Sequence, residues 1–98
     1  MRCEVAPQPP RVGPATVAVT LTGAAGARVN GARVRIEGDM AHPGMGPVFA
    51  DARQVGPGLY SGVLDFTMPG DWALVVHAAL PNGGQLEKQV NVKGVEAR

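Results

Sequence analysis

Glycine and proline interrupt this chain so often that a helix has nowhere to run. Fourteen Gly and nine Pro fall among 98 residues, and no stretch between them offers three turns of amphipathic pattern. The segments left between the interruptions are short, and their apolar residues recur at every second position, the period of a strand. In ATVAVTLTG, Val17, Val19 and Leu21 share one face and Thr16, Ala18 and Thr20 the other. In GARVRIEGDM, Ala32, Val34 and Ile36 face inward, with Arg33, Arg35 and Glu37 toward water. PVFADARQV reads as a weaker strand and is followed by the turn Gly56 to Gly58. LYSGVLDF sets Tyr60, Leu64 and Phe66 on one face, and DWALVVHAAL does the same with Trp72, Leu74, Val76 and Ala78. After the turn PNGG, a last strand runs through Leu86, Lys88, Val90 and Val92.

These segments predict an all-β fold, an antiparallel β-sandwich of six or seven strands. Residues 1–13, MRCEVAPQPPRVG, read as a flexible Pro-rich leader, residues 14–94 as the sandwich domain and residues 95–98 as a C-terminal tail. At 45% hydrophobic, the chain can bury one core without disulfide staples. Its single cysteine, Cys3, falls in the leader and is read as a tail thiol. The functional alternative is that the chain is a fragment, with Cys3 near a lipid-attachment or membrane-anchor junction. No apolar run approaches the roughly 18 residues that a spanning helix needs, so the sequence itself offers no membrane span.

Charge excludes one class of partner. A net charge of +1 with 17% charged residues leaves no basic stripe for a phosphate backbone, so nucleic acid is not expected. Catalysis lacks candidates too. Ser61 is the sole serine and has no evident His/Asp partner, and the four aspartates and four glutamates are dispersed singly. The chain is not expected to be an enzyme.

The chemistry that remains is concentrated in GDMAHPGMGPVF. Four methionines and two histidines serve the whole chain, yet Met40, His42 and Met45 fall within six residues, folded by Pro43 and Gly44. Thioether and imidazole are soft or borderline ligands that select Cu(I) over Mg, Ca or Mn. Thioethers need no deprotonation and survive where a thiolate would be oxidised, which favours a site outside the cytoplasm. Strand polarity adds Met68. If neighbouring strands are antiparallel, the strand ending near Asp39 and the strand ending near Phe66 leave the sandwich at one end, bringing the Met40 loop beside the TMPGD loop. The candidate metal ligands are therefore Met40, His42, Met45 and Met68. Asp39 reads as a turn residue bonding its own backbone, with an optional role as a hard ligand, and His77 as a structural residue far from that end. The competing reading of the same residues is packing, with Met40 and Met45 capping the sandwich, Met68 under Trp72 and His42 solvated.

The stretch from Asn30 to Val76 resembles the YtkA-like and FixH-like group of small extracytoplasmic Ig-like domains. The resemblance rests on Gly31, Ala32 and Val34, then the loop Met40, His42 and Met45, then Gly58, Tyr60 and Gly62, then Met68, Gly70 and Trp72. It implies an Ig-like sandwich akin to the CopC copper-resistance fold, displayed in the periplasm or on the outer face of a membrane. It also implies a tie to copper handling or haem-copper oxidase assembly. Residues and resemblance together lead to an extracytoplasmic Cu(I)-binding domain. It would act as copper carrier, buffer or delivery module, with a copper-receiving membrane protein or oxidase as partner. The alternative is a metal-free structural or interaction module docking on a membrane complex or transporter. A carbohydrate- or peptide-binding sandwich is disfavoured by the shortage of exposed aromatics.

Overall fold

The computed structural model describes residues 1–40 and 46–97. Its strands are β1 (Arg2–Ala6), β2 (Gly13–Thr20), β3 (Arg33–Met40), β4 (Val48–Gly56), β5 (Leu59–Phe66), β6 (Gly70–Ala79) and β7 (Gln85–Val95), with a single 3₁₀ turn at Ala24–Gly26. All seven pair antiparallel in the order β1-β2-β5-β4-β3-β6-β7. The sheet folds over on itself at β4. Val48 to Ala52 pair with β3, whereas Arg53 to Gly56 pair with β5, so one strand serves both layers.

The alternation read from the sequence sets the inward face. Val17, Val19, Leu21, Ile36, Leu64, Phe66, Leu74 and Val76 are wholly buried, and Trp72 and Val34 nearly so. Each such side chain contributes about 1.5–3 kcal/mol by leaving water, which is how so small a domain holds together without a cross-link. At the end remote from Met68, the Tyr60 hydroxyl donates to the Val29 carbonyl at 2.9 Å and accepts from the Ala32 amide at 3.0 Å, fixing the link into β3.

Two segments differ from the sequence reading. The first six residues are not an unpaired leader. Arg2 to Ala6 form an edge strand against β2, with Cys3 opposite Val19 and Val5 opposite Val17, and both Cys3 and Val5 pack on the core. The physical signal is the alternation of Cys3 and Val5 with Arg2 and Glu4, which the neighbouring prolines masked; those prolines lie in the return between β1 and β2. The C-terminal tail likewise begins later than expected. Val95 belongs to β7 and is buried, and the backbone of Glu96 bonds Pro10 and Val12 across the seam between the first and last strands. Lys88 Nζ donates to the Met1 carbonyl farther along that seam, so the sheet is nearly closed.

The last strand also departs from simple alternation. Trp72 pairs with Val92 and Gly70 with Val95, which leaves one extra residue in β7. This bulge turns both Val92 and Val95 inward. Leu86, paired with the buried Ala78 before the bulge, stays exposed on this edge strand.

Candidate functional site

Four strand ends meet at one end of the sandwich. β3 ends at Met40, β5 ends at Phe66, β6 begins at Gly70 and β2 begins at Gly13 opposite Phe66. Met40 lies directly across from Trp72 in the β3–β6 pair. Directly opposed residues share a face and hold their Cβ atoms about 4.5–5.5 Å apart, so the Met40 side chain stands over the indole's strand. Its methyl carbon lies 3.2 Å from the place where a Cβ on Gly70 would be. Gly70 also has φ +124°, a backbone conformation that other residues rarely adopt, and so this position both turns the chain into β6 and leaves room for the thioether.

Trp72 is the centre of the arrangement. It is 3% exposed, its ring lies 5.2 Å from that of Phe66 at a 57° tilt, and its indole Nε1–H donates to the Met68 carbonyl at 3.0 Å. A buried indole must find an acceptor, and the turn after β5 supplies it. On the opposite side the ring presses against β3 at Gly38, where a Cβ would fall 3.3 Å from ring carbons Cε3 and Cζ3. Both described methionines of the candidate set therefore adjoin one side chain, Met40 by register and Met68 through its backbone. Each is half-buried. His42 and Met45 lie outside the described residues.

Beside Met40 a shallow groove of about 340 Å³ opens between Asp39, Asp71, Asn91 and Lys93, with Trp72 at its wall. Asp39 is not a turn residue, because it continues β3 opposite Ala73. Its carboxyl stands two residues from that of Glu37 on the same face, within hydrogen-bonding reach of it. This hydrogen bond, together with partial burial, raises Asp39 above the usual carboxylate range, and the same bond and the nearby His77 hold Glu37 below it.

His77 lies five positions along β6 from Trp72, about 17 Å at the usual strand rise. It faces outward between two carboxylates, with Nε2 3.3 Å from Glu37 and Nδ1 3.2 Å from Glu87. Since the two glutamates address opposite nitrogens of one ring, they cross-link β3, β6 and β7 and do not converge on a common point. Cys3 is remote as well. It sits opposite Val19, and Val19 opposite Tyr60, six positions from Phe66. Burial pushes its thiol up, with Lys88 opposing. Among the described residues no group of three or more His, Cys, Asp and Glu is arranged to hold a metal ion. Beside the thioethers of Met40 and Met68, the described part of this end also offers the carboxylates of Asp39 and Asp71 at the groove.

Sequence reasoning placed Trp72 in the core and missed its second role. The spacing Met-Pro-Gly-Asp-Trp was visible, but the hydrogen bond depends on the shape of the turn. Gly70 and Gly38 were likewise legible only as punctuation.

Fold and site together define a small all-β domain in which the described candidates Met40 and Met68 adjoin Trp72 at one end, away from the His77 cross-link. A family model for YtkA-like domains matches residues 3–77, from β1 into β6, and the chain belongs to the YtkA-like family. No curated protein and no solved structure matches it.

Proposed function

We propose that this domain is an extracytoplasmic Cu(I)-binding module that carries, buffers or delivers copper, with a copper-receiving membrane protein, such as a haem-copper oxidase during assembly, as its partner. Copper is cargo here, and no substrate is turned over. The observation that carries the reading is the convergence on Trp72 of Met40 and the Met68 turn. To these the sequence adds His42 and Met45, two and five residues after Met40. A neutral thioether and imidazole set favours Cu(I) by softness and retains it where thiolates are oxidised, which is the ground for an extracytoplasmic location. Membership of the YtkA-like family is in keeping with a small domain of that kind. No helix among the described residues is long and apolar enough to cross a membrane.

An anaerobic Cu(I) titration against a chromophoric chelator tests the reading. One equivalent of copper withdrawn from the chelator is expected, and simultaneous replacement of Met40, His42 and Met45 by Ala should abolish the withdrawal. Failure of the wild-type protein to compete would overturn the copper reading and favour a metal-free module that docks through the same end.

A further inference from the structure

We propose that Trp72 is the positioning residue of the methionine end, its indole N–H holding the Met68 turn in place so that Met68 and Met40 face one soft cation together. The inference rests on the Cu(I) reading above and adds to it a residue that is not itself a ligand.

Three features of the structure carry it. First, the indole cannot swing away. It is clamped between Gly38, which has no side chain to keep the ring off β3, and Phe66 on β5. Adding a Cβ at Gly38 would crowd Leu64 at 3.0 Å as well as the ring, so the space is already filled. Second, the clamped ring aims its one polar atom at the Met68 carbonyl at 3.0 Å. The strand β5 has ended two residues earlier and β6 begins two residues later, so Met68 lies outside both ladders. The indole contact ties this turn to the core. Third, Met40 stands directly across from Trp72 on the same face, packed against Gly70 in the same turn. One rigid side chain thus sets where both methionines start. Two long, flexible thioether side chains lose rotamer freedom when they bind a cation, and fixing the backbone beneath one of them lowers what remains to be ordered.

The test is a double-mutant cycle on Cu(I) affinity, read anaerobically against a chelator. Trp72→Phe keeps an aromatic ring and removes the N–H. It is expected to weaken Cu(I) binding about tenfold. The same substitution should have almost no further effect in a Met68→Leu background, where no thioether is left to position, and should keep its full effect in a Met40→Leu background. A merely structural role would lower thermal stability and weaken binding equally in all backgrounds, and that result would overturn the proposal, as would undiminished affinity in the single variant. Absence of Cu(I) binding by the wild type would overturn the functional reading and this inference together, whereas wild-type binding with additive losses overturns the inference alone. A second measurement needs no variant. The Trp72 indole N–H of the metal-free wild type should exchange slowly with solvent and slow further on adding Cu(I), and fast exchange in the metal-free protein would refute the clamp.

Discussion

Replacing Gly38 by Ala should destabilise this domain by about 1–2 kcal/mol, and the estimate follows from what the new methyl would meet. Gly38 has no positive φ, so the backbone conformation itself is open to alanine, and loss of glycine from a strand should by itself gain about 0.5–1 kcal/mol. Against this stands packing. The Cβ would lie 3.0 Å from Leu64 Cδ2 and 3.3 Å from two carbons of the Trp72 ring. A flexible, exposed neighbour could give way, but Leu64 is 0% and Trp72 3% exposed, and the Trp72 ring is held by Phe66 and by its bond to Met68. Overpacking of a filled site costs about 1–3 kcal/mol; with neither neighbour free to move the cost falls in the upper half of that range, and subtracting the backbone gain leaves a net loss of about 1–2 kcal/mol. For a domain of this size the loss is a fall in melting temperature of about 5–10 °C. Urea denaturation followed by circular dichroism reads it, with Gly46→Ala as control, since no atom of the described residues lies within 4 Å of a Cβ there. A Gly38→Ala protein as stable as the Gly46→Ala protein would refute the idea that the indole is clamped.

Tyr60→Phe should cost about 1–3 kcal/mol in the same denaturation assay, because it strips partners from the Val29 carbonyl and the Ala32 amide; a loss below about 0.5 kcal/mol would mean that water replaces the hydroxyl without cost. Cys3 should react with iodoacetamide more slowly in the native protein than in denaturant at the same pH, since burial raises its thiol. The fold favours the protonated thiol, so stability should decline as pH climbs from the ordinary thiol value toward the raised one, and mass spectrometry of alkylation showing equal rates in both states would contradict the burial. Adding Cu(I) should shift the NMR signals of the Met40 and Met68 methyl groups and leave the His77 ring unmoved; a shift centred on His77 would relocate the site to the Glu37–Glu87 cross-link.

Much of this architecture is written locally. Period-two alternation assigned the buried faces of β2, β3, β5 and β6 residue by residue, because a strand's side chains alternate whatever it pairs with. Turn residues marked where strands stop, and strand polarity alone brought the Met40 and Met68 exits to one end. The same local logic also failed where two signals overlapped. Cys3 and Val5 alternate like any strand, but the prolines that follow suggested an unpaired leader, and nothing in five residues says that a core face is waiting for them.

What the tertiary structure decided is non-local. The passage of β4 from one layer to the other, the bulge that turns Val92 and Val95 inward together, and the closing of β1 toward β7 each depend on contacts between residues distant in the chain. No short stretch encodes them. The candidate site divides in the same way. The sequence alone names the candidate soft ligands and brings the ends of β3 and β5 together, since ligand chemistry belongs to residue types and the end is set by strand direction. That Trp72 joins Met40 to the Met68 turn was decided only in three dimensions, because a buried N–H takes whichever acceptor the packed core leaves within reach.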